Sequence, residues 1–180
     1  MTRHILIAAV CTLAASGGAQ EATMTNQTSA ELKKLEFLVG NFTGDEKAFT
    51  EVGEVPFTAD IQSVWDLGGR YVRQEHKSKL MGEDWPGLLL LTFDADIKKY
   101  RAWWFDNGAS KPMEMTGAFE GDTLVMLSKP YALSGAPPLE YRVQFKPKSA
   151  TEIDVRLDSR KDKEYTPVIE ATYTRKKPGS

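Results

Sequence analysis

Leu139-Glu140-Tyr141-Arg142-Val143-Gln144-Phe145-Lys146 alternates apolar and polar residues without a break. An extended chain sends successive side chains to opposite sides, so this segment predicts a strand with one buried face. The pattern recurs in both directions. Downstream, Ile153, Val155 and Leu157 alternate with charged residues, and 165–175 supply a closing strand. Upstream, Val55–Trp65 puts Phe57, Ala59, Ile61, Ser63 and Trp65 on one face. Gly69 opens a run through Leu80, Leu88–Phe93 is apolar on both faces, and Lys99–Asp106 carries Trp103, Trp104 and Phe105. Met113, Met115, Gly117 and Phe119 form a strand that turns at Glu120-Gly121-Asp122 toward Met126. These runs amount to about ten strands, without internal repeats or a linker, and predict a single all-β domain.

One segment has a different period. Thr28-Ser29-Ala30-Glu31 fits a capping box, and Leu32, Leu35, Phe37, Leu38 and Val39 follow at near-helical spacing. One short helix ending near Gly40 is predicted. Short antiparallel strands close as a sandwich or as a barrel. Sequential hairpins behind a single N-terminal helix favour an up-and-down antiparallel barrel, with the helix covering one end. The immunoglobulin-like alternative needs a Cys…Trp…Cys framework, and the chain has 1 Cys.

Residues 1–19 stand apart from this fold. Basic Met1-Thr2-Arg3-His4, apolar 5–15 and small Ser16-Gly17-Gly18-Ala19 predict a secretory signal cut after Ala19, and hence a secreted or periplasmic protein. The apolar run is too short for a spanning anchor, so no stable membrane insertion is expected after cleavage. Val10 and the short run ahead of Cys11 fit lipid attachment at that cysteine poorly. Residues 20–28 read as a flexible lead, 29–176 as the domain and 177–180 as a tail. Loss of Arg3 takes the basic count from 23 to 22 against 25 acidic residues, and the formal charge from −2 to −3. The mature chain keeps no thiol and one histidine, His76. With 41% hydrophobic residues among 180, it has material for a core, and its lack of a basic cluster argues against nucleic-acid or anionic-membrane partners.

Several short motifs resemble a known group. Leu38-Val39-Gly40-Asn41-Phe42-Thr43-Gly44 resembles the opening of calycin (lipocalin-like) barrels. Leu67-Gly68-Gly69-Arg70-Tyr71-Val72-Arg73-Gln74-Glu75, Gly87–Asp94 with its hairpin to Tyr100, and Ala171-Thr172-Tyr173-Thr174-Arg175-Lys176 add to the likeness. Together, over residues 30–176, they resemble a bacterial family of unknown function in that group, often secreted. The resemblance implies a barrel of about ten strands with an internal cavity. Nitrobindin-like cousins ligate haem iron through a histidine near the C-terminus; here the last histidine is His76, so that ligand is missing and no cofactor is expected.

Strand alternation places Val72, Gln74, His76 and Ser78 on one face and Tyr71, Arg73, Glu75 and Lys77 on the other. The charged set predicts its own exposure, which turns His76 inward, away from Glu75. An imidazole there serves either as a hydrogen-bonding interior residue or as a proton acceptor, the latter requiring a carboxylate from another strand. One histidine without cysteine makes no zinc site. Trp103 and Trp104 must face opposite ways, so one of them is either covered or part of an exposed apolar patch. Deformable Met113, Met115 and Met126 suit either a filled core or a pocket. Phe57, Ile61, Trp65, Tyr141, Phe145, Ile169 and Tyr173 complete the expected lining. Asp94, Asp96 and Asp106-Asn107-Gly108 read as turns, the last beside the tryptophans.

No nucleophile elbow, phosphate loop or dinucleotide fingerprint occurs. The leading expectation is binding of a small apolar molecule inside the barrel, at Phe57, Ile61, Trp65, Gln74, His76, Trp103, Trp104, Met113, Met115, Met126, Tyr141 and Tyr173. The alternatives are a homodimer or partner surface formed by the aromatic strand, and a hydrolase or isomerase using His76.

Overall fold

The computed structural model describes residues 29–132 and 137–177. The predicted signal segment, the lead at 20–28 and residues 178–180 lie outside them. Ten strands follow in chain order: β1 (Gly40–Thr50), β2 (Gly53–Asp66), β3 (Tyr71–Leu80), β4 (Glu83–Asp94) and β5 (Lys99–Asp106), then β6 (Met113–Glu120), β7 (Thr123–Ser128), β8 (Glu140–Pro147), β9 (Glu152–Lys161) and β10 (Glu164–Arg175). Each pairs antiparallel with its sequence neighbours, and β10 returns to β1, so the barrel closes. The expected up-and-down barrel of ten strands is the one that forms. Its alternation is visible in burial: Phe42, Gly44, Glu46 and Ala48 face inward on β1, and Val72, Gln74, His76 and Ser78 on β3.

The helical segment is shorter than its spacing predicts. It divides into α1 (Ala30–Lys33) and a separate 3-10 turn (Glu36–Leu38). The cap is Ser29, whose Oγ accepts from the Leu32 amide at 3.2 Å; Thr28 lies outside the described residues. Glu31 has partners of its own. Its carboxylate accepts from Lys34 and from the Tyr100 hydroxyl, which also bonds the Glu31 carbonyl at 2.9 Å. Burial, and then the bond to Glu31, push the Tyr100 phenol far above its ordinary pKa, keeping it a donor. Anchoring to the barrel thus replaces helical continuity. The segment seals one end, where Leu35, Leu38, Phe42, Val72, Leu91, Leu124 and Met126 are wholly buried.

Arg175 at the end of β10 fastens this seal. Its guanidinium donates to the carbonyls of Val39 at 2.6 Å and Phe37 at 3.2 Å, and lies 4.6 Å from the centre of the Phe42 ring. Gly40 makes room for it. A Cβ there would fall 2.1 Å from the guanidinium, and Gly40 has φ +141°, a conformation that L side chains rarely adopt. On the outer wall, Asp158 is fully buried beneath Arg142 and Arg156, which bind it at 2.7 Å each. That arrangement supplies the partners a buried carboxylate requires.

Candidate ligand cavity

The half of the barrel away from the helical segment is hollow. A cavity of about 510 Å³ reaches the opposite end, bordered by Thr50, Leu80, Glu83 and Asp106-Asn107-Gly108. Its walls are mainly Leu89, Met113, Met115, Val143, Phe145, Ile169 and Ala171, with the rings of Trp85, Trp104, Tyr131, Tyr141 and Tyr173. The barrel is therefore filled at one end and empty at the other.

Of the twelve candidates from sequence, Gln74, His76, Trp104, Met113, Met115, Tyr141 and Tyr173 line the cavity. The other five lie elsewhere. Ile61 and Met126 belong to the sealed core, at 2% and 0% exposure. Phe57 packs against Trp85, ring centres 6.2 Å apart, outside the lining. Trp65 sits at the sealed end and donates its indole N–H to Glu36 at 2.8 Å. Trp103 faces outward, with Arg101 5.0 Å from its ring. Alternation along β5 explains the last case: Tyr100, Ala102 and Trp104 point in, so Trp103 and Phe105 point out. Register sets Trp103 opposite Leu90 and Phe105 opposite Leu88, making an apolar patch on the outer wall of the kind found at partner surfaces.

Among the lining residues that escape the sequence reading are Glu46, Trp85 and Tyr131. Glu46 is the most consequential. Its carboxylate Oε1 lies 2.8 Å from His76 Nε2, with the two side chains 2% and 4% exposed. Register explains the meeting: Glu46 pairs with Phe57, and Ile61 pairs with His76, so β1 and β3 face the lumen on either side of β2. The Tyr173 phenol also interacts with the Glu46 carboxylate. Burial, reinforced by the Glu46 charge, holds the Tyr173 phenol well above its ordinary pKa, so it keeps its proton. Glu46 engages the Nε2 side of the imidazole, which leaves Nδ1 as the ring nitrogen turned away from it. Among the described residues this Nδ1 is buried with no hydrogen-bond partner, and so is the Tyr131 hydroxyl. Burial and the nearby Asp106 raise the Tyr131 pKa.

Around His76, Trp85 and Trp104 stand edge-on, at 6.2 and 5.8 Å between ring centres. Trp104 is held by its indole N–H, which donates to Asp106 at 2.7 Å. It also rests on Gly87, where a Cβ would fall 2.1 Å from the ring. Gly87→Ala is therefore expected to push the indole into the cavity. The change should alter the near-ultraviolet circular dichroism of the tryptophans and destabilise the fold by about 1–2 kcal/mol in urea denaturation.

Chemically, the site is an imidazole oriented by a carboxylate in an apolar chamber. It can form a hydrogen bond or exchange a proton at Nδ1. Glu46 supplies the carboxylate that a proton-transfer role for His76 requires. Among the described residues no group of three or more His, Cys, Asp or Glu is arranged to hold a metal, and no helix is long and apolar enough to cross a membrane.

A solved structure described as an S-type phycobiliprotein lyase from Guillardia theta has a similar fold. The alignment covers 84% of this chain and 95% of that one, with a TM-score of 0.54 and 12% identity. At that identity the likeness concerns the fold alone. No curated protein matches the sequence. Residues 27–175 match the family described as "Protein of unknown function (DUF1579)", and since that match takes in the helical segment and every strand, this chain belongs to the DUF1579 family.

Proposed function

We propose that this protein binds a small, largely apolar molecule in the hollow half of its barrel. The observation that carries it is the cavity of about 510 Å³, walled by aliphatic and aromatic side chains and given direction by a few polar groups at its sides. Desolvation against Met113, Met115, Leu89, Phe145 and the tryptophans drives entry. Gln74, His76 and Tyr141 fix orientation. Gln74 is partly committed, since its amide donates to Ser63 at 2.9 Å; His76 Nδ1 is not. The basic start and apolar run of residues 1–19 support binding in a secreted or periplasmic setting.

Titration of the full chain with N-phenyl-1-naphthylamine, a neutral apolar dye that brightens when shielded from water, tests this. Saturable enhancement with a Kd of about 1–10 µM is expected. Absence of saturable enhancement overturns the reading.

A further inference from the structure

Aromatic rings are used differently at the two ends of the barrel. At the sealed end they meet one another edge-on: Phe37 with Phe119, Phe119 with Tyr100 and Tyr100 with Phe93, at 6.3, 5.3 and 5.1 Å between centres. In the hollow half, Phe145 and Tyr173 border the cavity and are only 5% and 6% exposed. Among the described residues neither of them has a ring partner.

The other rings of the chamber are fixed from outside it. Trp104 is held by its bond to Asp106 at 2.7 Å and by its rest on Gly87. The Tyr141 amide donates to Ser128 at 2.7 Å, and its ring lies 6.2 Å from that of Tyr131. Tyr131 is itself tied to Leu139 by two backbone bonds of 2.8 and 2.9 Å. Met113 and Met115 complete this part of the wall, and a thioether sulfur makes favourable contacts with ring edges.

Such a wall does not treat all apolar molecules alike. Burial favours any hydrocarbon in proportion to the surface it hides. A ring that meets other rings edge-on or offset gains more than its area gives. A rigid planar molecule also has no internal rotations to freeze, whereas an alkyl chain must be ordered along the wall.

We infer that the occupant is a planar, fused-ring aromatic molecule, lying against Phe145, Tyr173 and Trp104 with the methionine sulfurs at its edge. This rests on the cavity-binding reading and adds the class of ligand. A cavity of about 510 Å³ has room for several fused rings.

The test displaces bound N-phenyl-1-naphthylamine from the full chain with two alcohols of one carbon skeleton, naphthalen-2-ylmethanol and its saturated decahydro counterpart. Burial alone favours the saturated compound, which has the larger apolar surface. The naphthalene is instead expected to bind about tenfold tighter. In Phe145→Leu, which keeps an apolar side chain but removes one ring, that ratio should fall by about threefold. The saturated alcohol serves as the reference within the same protein. Equal or tighter binding of the saturated alcohol to the wild-type chain overturns the inference and leaves cavity binding standing, whether or not the variant folds. So does a ratio undiminished in a folded Phe145→Leu protein. Absence of saturable dye enhancement removes the cavity reading itself, and this inference with it.

Discussion

Phe42→Ala is expected to lower the unfolding free energy by about 3–5 kcal/mol, read as a shift of the urea midpoint. The ring is wholly buried in the sealed half of the barrel and does not border the cavity. Removing it takes away its transfer energy and leaves a void that the surrounding Leu35, Leu38 and Val72 fill only in part. It also takes away the surface on which Arg175 rests, and Arg175 ties the helical segment to the last strand. Dye binding in the protein that remains folded should stay within about twofold, because the hollow half is built from other residues. A loss of binding parallel to the loss of stability would show that the two halves are one unit.

Ala171→Trp is expected to do the reverse. Ala171 faces the lumen on β10, in register with Glu46 on one side and Val155 on the other, at the middle of the cavity wall. An indole projecting from this point occupies the space intended for a ligand and covers the Glu46–His76 pair. Affinity for N-phenyl-1-naphthylamine should fall by about 100-fold or more. Overpacking is destabilising where a core is already dense, but here the added ring enters empty space. The unfolding midpoint should therefore change by the equivalent of no more than about 1.5 kcal/mol. Unaltered dye affinity in this variant would place the dye outside the barrel.

Strand identity was legible because each element carries its own two-residue period. Residues 139–146 and 71–78 announce their inner faces without reference to any neighbour, and His76 falls inside for that reason alone. Single-element alternation does not say how far along the barrel an inward residue sits. Ile61, Met126 and Gln74 all point inward, yet the first two lie in the sealed core and only Gln74 reaches the cavity. Level depends on register between strands, which arises from hairpin geometry and from closure of the whole sheet. Glu46 was hidden for a related reason. A lone glutamate in a run of inward Phe42, Gly44 and Ala48 reads as a misplaced charge until His76 is brought beside it across β2. Trp85 was overlooked because β4 starts before its apolar run, at Glu83. The helix failed for want of length: four residues give little intrahelical stability, and Tyr100 and Arg175 fix the segment from outside.

The pairing of β1 with β10 has a consequence for the order in which the chain can fold. Every other pairing joins consecutive strands and can form as soon as both have left the ribosome. The closing ladder, Phe42 with Arg175 through Ala48 with Ile169, joins segments more than a hundred residues apart and must wait for the final strand. Until then β1 offers an unpaired edge and the sheet remains open, with Glu46 and His76 in water rather than in a chamber. Loop closure over that separation makes this the slow step expected of a sheet with distant contacts. Nascent chains would be most vulnerable to sticking together in that interval, and completion of the ladder both removes the edge and creates the pocket.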